Sequence, residues 1–222
     1  MPEHDARQLA DIYQDTTARI TELLTRSDSA VWECPVPACP DWSVRDVVSH
    51  MVAVAEDWAS GQLTGPPTDD ETAEHVRRFG SHDETELLGD LSGAAARLHQ
   101  LAGTTGLEPP LGDIACHEHD IRSAIGKPGA RDAQSVLWTS DRLLANLRPP
   151  VPLRVVVEDA QYRSGPGEGS EIVLRTTRFE SMRWRTGRRS RSQLAAMDWS
   201  TDPAPVLDHL FLFGPAASDV IE

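Results

Sequence analysis

The stretch SVRDVVSHMVAVAEDWAS, Ser43–Ser60, decides the fold of this chain. Its apolar residues recur every three or four positions, a spacing that predicts an amphipathic helix. Ser43 and Asp46 form an S-x-x-D pattern, which is typical of a capped helix N-terminus. The sequence therefore predicts a helix that begins at Val44, ends near Ser60 and buries one apolar face.

The same helical period recurs through the first two thirds of the chain. It predicts further helices over Ala6–Arg26, Glu84–Leu101, Leu111–Gly126 and Asp132–Leu147. The segments between them are rich in proline and glycine and predict loops. Helices joined by loops, with no strand pattern between them, indicate a helical bundle.

Two prolines, Pro149–Pro150, end any preceding helix and mark the predicted domain boundary. Nearly all of the net negative charge lies before this point. Residues 1–149 are predicted to form the bundle, and residues 150–222 a small α+β domain. The predicted fold class is therefore mainly α, an up-down helical bundle followed by a small α+β C-terminal domain.

Short elements are predicted beyond the boundary. Leu153–Val157 and Glu171–Thr176 have the composition of strands, and the glycine-rich stretch Gly165–Gly169 between them predicts a hairpin-type loop. Phe179–Arg185 and Ala204–Phe213 are predicted to form short helices. About 70 residues can bury only a small core.

Composition excludes several classes of protein. The chain has 222 residues, 25% of them charged, and a net charge of −14. This composition excludes a disordered chain, and the acidity argues against binding to nucleic acid or to an anionic membrane. There is no apolar run long enough to span a membrane, and the acidic N-terminus is not a signal peptide. Three cysteines, an odd number, favour a reducing cytoplasm over a disulfide framework.

Three side chains on two predicted helices could form a metal site. His50 lies between Val47 and Val54 on the apolar face of its helix and points inward. Asp113 and His117 are four residues apart, which places them one turn apart on one helix face. Two imidazoles and one carboxylate leave coordination positions open, as in a catalytic metal site.

Each of these side chains also has a simpler interpretation. An isolated D-x-x-x-H pattern is usually part of a solvated helix face. An inward histidine is more often a hydrogen-bonded core residue than a ligand. The spacing alone leaves both interpretations open.

Three longer segments together resemble one protein family. They are PDWSVRDVVSH (Pro40–His50), DIACHEHDIRSAIG (Asp113–Gly126) and FESMRWRTGRRSRSQLAAMDW (Phe179–Trp199). Their sequences and their order resemble the mycothiol-dependent maleylpyruvate isomerase family, which belongs to the DinB-like metal-binding bundles. The resemblance implies a DinB-like bundle followed by a small α+β domain.

The resemblance also implies which residues act. The family's first histidine ligand falls on His50, its carboxylate ligand on Asp113 and its second histidine on His117. The family usually has Glu at the carboxylate position, so Asp113 is one methylene shorter. A catalytic arginine of the family falls on Arg188 or Arg189, and the sequence does not choose between them.

The implied chemistry is thiol activation by a divalent metal. Zinc is the expected ion, although nickel, manganese and iron suit the same ligand set. The implied co-substrate is mycothiol, a low-molecular-weight thiol that would add to a small electrophile. Expulsion of the thiol from the adduct would give isomerisation, and its retention would give S-transfer. The alternative hypothesis is a catalytically inactive bundle that serves as a ligand-binding or interaction module, which the Glu-to-Asp departure favours.

Other polar residues are weaker candidates. A basic cluster, defined by Arg183, Arg185, Arg188, Arg189 and Arg191, could bind an anion over the metal site or could be a solvated face that pairs with the acidic bundle. Cys34 and Cys39 lack the second ligand pair of a structural zinc site. His119 is expected to be exposed. Asp120 is expected either to be a hydrogen-bond partner of His117 or to form a hydrogen bond to another helix.

Overall fold

A computed structural model of the protein describes residues 5–222, which divide into two compact units. The first unit ends at Gly129, and the second runs from Ala130 to Glu222. The prolines at which we predicted the domain boundary, Pro149–Pro150, lie inside the second unit. The reason is that the helix Gln134–Ala145, which we assigned to the bundle, packs against elements of the second unit.

The first unit is built from helices. They are α1 (Ala6–Thr25), α2 (Val44–Ser60), α3 (Asp69–Phe79), α4 (Glu84–Thr105) and α5 (Leu111–Ala124). A short 3-10 helix, Ser29–Glu33, lies between α1 and α2. Reciprocal capping bonds begin each of the helices α1 to α4, and the predicted Ser43–Asp46 pair is the one that begins α2.

The helices of the first unit share one apolar core. Helix α1 packs against α4 and α5, and α2 packs against α3, α4 and α5. The side chains of Tyr13, Ile20, Met51, Leu91 and Ile114 are all buried there. The α2 stripe that we predicted to face inward is buried along its length. This packing is that of a helical bundle.

Helix α3 is the helix of the first unit that the helical period did not predict. Among its residues only His75 and Phe79 are buried, so it has almost no apolar stripe. A signal was nevertheless present, because Thr68 and Glu71 form a T-x-x-E capping box at its start.

The second unit combines helices with a small sheet. Its helices are α6 (Gln134–Ala145), α7 (Arg178–Arg185) and α8 (Arg191–Ala195). Its strands are β1 (Leu153–Val156), β2 (Gln161–Ser164), β3 (Ile172–Arg175) and β4 (Asp198–Trp199). Leu153, Val155 and Leu174 of the sheet share a buried cluster with Trp184 and Leu194.

The sheet corrects one local prediction. Its strand order is β2-β1-β3-β4. Strand β1 pairs antiparallel with β2, Leu153 opposite Ser164, and parallel with β3, Leu153 opposite Ile172. The two predicted strands are thus parallel neighbours and not arms of a hairpin, since a strand that we did not predict, β2, precedes the Gly165–Gly169 loop.

The predicted helix Ala204–Phe213 is also wrong. The structure has only a short 3-10 helix there, Leu207–His209, without a side-chain cap. Val206, Leu207 and Leu210 are buried with the sheet, which explains the helix-like apolar spacing. The mainly α fold class, with a small α+β part at the C-terminal end, is confirmed. None of the helices within residues 5–222 is long and apolar enough to cross a membrane.

Candidate metal centre

The structure brings His50, Asp113 and His117 together. The Nε2 atoms of His50 and His117 each lie 3.5 Å from Oδ1 of Asp113. One ligand atom from each residue lies within 4.8 Å of the other two. The cluster joins α2 to α5, as the sequence predicted from inward spacing on one helix and i, i+4 spacing on the other.

Local structure explains how the three side chains meet. The capping box at Ser43 begins α2 and turns His50 into the core, between buried valines. Helix α5 begins directly after Pro109–Pro110, and Asp113 lies in its first turn. The partial positive charge of a helix N-terminus favours an ionised carboxylate at that position.

Charges within the cluster are strongly coupled. Burial raises the pKa of the Asp113 carboxyl, but His117 and then His50 lower it more, so the net pKa lies well below the usual range. Burial lowers the pKa of His117, but Asp113 and then Asp120 raise it more, so its net pKa lies well above the usual value. Asp113 and His117 therefore stabilise each other's charged forms.

The donor set fits a divalent metal ion. Ligand atoms about 2.0–2.1 Å from a tetrahedral zinc ion lie about 3.4 Å apart, close to the 3.5 Å separations in this cluster. Within the described part of the chain, Oδ2 of Asp113 is buried and has no hydrogen-bond partner. Such an atom is costly unless a ligand satisfies it. The shorter side chain of Asp113 thus reaches both imidazoles.

His50 has a second set of contacts that the sequence did not predict. Its Nδ1 atom lies 3.3 Å from Nδ1 of His75, on α3. Nε2 of His75 lies 3.1 Å from Oδ2 of Asp57, whose Oδ1 accepts two hydrogen bonds from Arg78. Burial, and next the proximity of His50, lower the pKa of His75. Asp57 lies seven residues after His50, which places both on the same face of α2. This spacing is the feature of the sequence from which a link between Asp57 and His50 could have been predicted.

His117 also has a second partner. Its Nδ1 atom lies 3.0 Å from Oδ2 of Asp120, the partner that we had considered for it. Cys39 donates from Sγ to the same oxygen at 3.5 Å. Cys39, His117 and Asp120 form another group whose ligand atoms lie within 4.8 Å of one another. From the sequence we considered Cys39 only as a zinc ligand together with Cys34, and we did not predict the position of Cys39 beside α5.

One turn of α5 is buried on every side. His117, Glu118, His119 and Asp120 are all buried, so the expectation that His119 is exposed is wrong. Glu118 accepts hydrogen bonds from Arg19 of α1 and from Arg122. Helix α5 packs against both α1 and α2, which leaves this turn no solvent side.

Trp42 covers part of the cluster. Its ring stacks on His117 with centroids 6.4 Å apart and tilts against His50 at 5.1 Å. Trp42 is only partly buried and borders the candidate site. An indole at this position supplies an apolar wall beside polar groups.

The predicted arginines are bound within their own unit. Arg189 is buried and donates to Glu180 and Glu222, and Arg188 donates to the carbonyl of Thr186. Arg183 and Arg185 are buried as well, whereas Arg191 is exposed and pairs with Asp208, so only the end of the basic cluster is a solvated face. The assignment of a catalytic role to Arg188 or Arg189 stays a prediction.

Comparison with known proteins decides the family. Residues 13–122 match the family model described as the mycothiol maleylpyruvate isomerase N-terminal domain. The bundle of this chain belongs to that family. The match begins in α1 and ends in α5, so this mycothiol maleylpyruvate isomerase N-terminal domain contains all three residues of the cluster. The resemblance inferred from sequence motifs is thereby confirmed.

Solved structures show the same fold. Two crystal structures of mycothiol-dependent maleylpyruvate isomerase, one of a histidine-to-alanine mutant, are 13% identical to this chain in sequence. They align with TM-scores of 0.57 and 0.56 and cover 90% of this chain and 94% of theirs. Among curated proteins, no sequence matches the chain. At this identity the likeness shows that the isomerase fold is shared.

Proposed function

We propose that this protein is a metal-dependent enzyme that activates a low-molecular-weight thiol, mycothiol, for addition to a small electrophile. The single observation that carries the proposal is the cluster of His50, Asp113 and His117 inside a domain of the mycothiol maleylpyruvate isomerase family. Oδ1 of Asp113 lies 3.5 Å from each imidazole, a separation that suits two ligands of one divalent ion, zinc in the first instance.

His50, Asp113 and His117 would hold the ion and leave a coordination position open. A divalent ion bound there supplies a lowered pKa for a coordinated thiol and thus a thiolate at neutral pH. Nickel, manganese and iron suit the same ligands.

The chain's own residues control access to the cluster. The side chains of His50 and His117 are 5% and 7% exposed, but that of Asp113 is 23% exposed. A thiol therefore reaches the ligand atoms from the Asp113 side. Trp42 packs beside both imidazoles and covers part of the cluster.

The proposed reaction is isomerisation or S-transfer on an activated alkene. The thiolate sulfur forms a bond to an alkene carbon, and the displaced electron pair moves onto the conjugated carbonyl oxygen. Rotation about the resulting single bond and loss of the thiolate restore the alkene as its isomer. Protonation of the carbon instead leaves the thioether. A guanidinium, from Arg188 or Arg189, would stabilise the developing enolate or a substrate carboxylate.

A reducing cytoplasm suits this chemistry. In the described chain Cys34, Cys39 and Cys116 form no disulfide.

The alternative, an inactive bundle that binds a ligand or a partner, was suggested by the shorter carboxylate of Asp113. Asp113 lies 3.5 Å from both imidazoles despite its shorter side chain, which supports the enzyme over that alternative.

The first test is the metal content. The protein would be purified without a histidine tag or chelator, and bound metals measured by elemental mass spectrometry. We expect near one divalent ion per chain, lost in His50→Ala and Asp113→Ala. His99→Ala, which alters a surface histidine paired with Asp11, is the matched control and should keep the ion. An ion-free wild-type protein, even after incubation with zinc, nickel or manganese, would refute metal dependence.

The second test is turnover. The loaded protein would be incubated with mycothiol and maleylpyruvate, and then with other activated alkenes, while thiol consumption and product geometry are followed. Isomer formation without thiol consumption indicates isomerisation, and a stoichiometric loss of thiol indicates S-transfer. Arg188→Ala and Arg189→Ala, assayed side by side, show which arginine acts.

A further inference from the structure

A chain of hydrogen-bonding groups leads away from His50 on the side opposite the cluster. Nδ1 of His50 faces Nδ1 of His75 at 3.3 Å, and Nε2 of His75 faces Oδ2 of Asp57 at 3.1 Å. The side chains of His75 and His50 are 2% and 5% exposed, so water does not compete for these contacts. Two facing ring nitrogens can share only one proton, so the donor and the acceptor must be assigned.

Arg78 sets the direction of the chain. Its Nη1 and Nη2 atoms both lie 3.0 Å from Oδ1 of Asp57, which holds that group as a carboxylate. A carboxylate only accepts hydrogen bonds, so the proton of His75 lies on Nε2. The Nδ1 atom of a neutral His75 is then an acceptor.

The same logic fixes the state of His50. Because Nδ1 of His75 accepts, Nδ1 of His50 carries the proton and donates it. The Nε2 atom of His50 therefore keeps its lone pair, and that atom faces Asp113 in the cluster. The tautomer of His50 with its proton on Nδ1 is the one that can bind a metal through Nε2. The hydrogen bond from Nδ1 of His50 to His75 holds the ring in that state.

We propose that His75 is a positioning residue that fixes the tautomer and ring orientation of His50 for metal binding, with Asp57 and Arg78 as its anchor. The inference rests on the proposed function, since it concerns a ligand of the proposed metal site. It also accounts for α3, a polar helix whose buried residues are only His75 and Phe79.

The test uses variants of the full chain and two measurements. His75→Phe keeps an aromatic ring and removes both nitrogens, whereas His75→Gln keeps a donor and an acceptor. Zinc affinity is measured by competition with a chromophoric chelator. The tautomer of His50 is measured in the metal-free protein from the ring nitrogen shifts in long-range proton–nitrogen NMR spectra.

We expect His75→Phe to bind zinc about 10- to 100-fold more weakly, the usual effect of losing an outer partner of a ligand. We expect His75→Gln to recover part of that loss. In the wild-type protein the His50 shifts should show a proton on Nδ1, and in His75→Phe they should shift towards a mixture of tautomers. A merely structural role for His75 would not move these shifts.

The control is His99→Phe, which removes another histidine–aspartate pair, His99–Asp11, on the bundle surface. It should bind zinc as the wild type does. If His75→Phe does not fold, Asp57→Asn decides, because an amide can donate as well as accept and no longer fixes the proton position on His75, so zinc binding should also weaken. Wild-type zinc affinity and an unchanged His50 tautomer in these variants would overturn the inference. Failure of the wild type to bind zinc would instead overturn the proposed metal function, and the NMR measurement would still test the His75–His50 contact.

Discussion

Asp113 has the most demanding role among the single residues of the candidate site. It lies 3.5 Å from both imidazoles with its Oδ1 atom, and its buried Oδ2 atom has no hydrogen-bond partner in the described chain. A carboxylate that is one methylene shorter than glutamate therefore still reaches the cluster, because the first turn of α5 lies close to α2. The charge of this group, more than its length, should decide metal binding.

That expectation can be tested with two substitutions. Asp113→Asn keeps the shape of the side chain but removes the charge, and it should weaken zinc binding by more than the roughly 10- to 100-fold effect of losing an outer partner. Asp113→Glu restores the charge and should recover most of the affinity. Zinc retained through gel filtration, measured by elemental mass spectrometry, checks both. Equal zinc retention in Asp113→Asn and the wild type would exclude Asp113 as a ligand.

The sequence predicted the cluster but not its surroundings. Inward spacing and the family resemblance were enough to select His50, Asp113 and His117. His75 and Cys39 were beyond reach, because their contacts depend on how α3 and the loop before α2 pack against other elements. Spacing along one helix carries no information about the register of a neighbouring helix.

At the scale of elements, the apolar period predicted most helices of the first unit, and capping patterns mark where α2 and α3 begin. The ends of α2 follow from its capping box and its closing glycine, Gly61 in the left-handed conformation. Helix α3 shows the converse case, since its capping box is clear but its apolar stripe is missing. The parallel pairing of β1 with β3 could not be predicted, because β2 is partly exposed and lacks an apolar pattern.

The cap of α3 should matter for both stability and the site. Thr68→Ala removes the side chain that accepts from the Glu71 amide, and it should cost about 1 kcal/mol of unfolding free energy. If α3 positions His75, zinc affinity should also fall. The fall should be at most about fivefold, because about 1 kcal/mol corresponds to that change in a dissociation constant. Urea unfolding and chelator competition measure the two effects.

Asp83→Ala is the matched control, since it removes the equivalent cap of α4. It should cost a similar unfolding free energy and leave zinc affinity unchanged. A loss of zinc affinity in both cap variants would mean that general stability, and not α3, governs the site.

At the scale of the whole molecule, each unit encloses its own buried charges. In the second unit, Glu222 is 4% exposed and accepts from both Arg183 and Arg189. The boundary that we predicted from the prolines missed α6, because a proline pair marks the end of a helix and not the unit to which that helix belongs.

Glu222→Gln tests whether this contact stabilises the second unit. The substitution keeps an acceptor but removes the charge between two buried guanidinium groups, so it should cost about 2 kcal/mol of unfolding free energy. Urea unfolding followed by tryptophan fluorescence measures the change, since Trp184 lies in the core of this unit. The control is Asp208→Asn, which alters an exposed pair with Arg191 and should have little effect.

The fully buried turn of α5 has a consequence for how this protein can evolve. A replacement at Glu118 or Asp120 removes a buried acceptor of Arg19, Arg122 or Cys39, so most single replacements at these two positions should destabilise the protein. Apolar core positions, in contrast, tolerate exchange among residues of similar volume. A saturation-mutagenesis map should therefore show its narrowest tolerance at residues 117–120, and descendants that abandon the site should change several of these residues together.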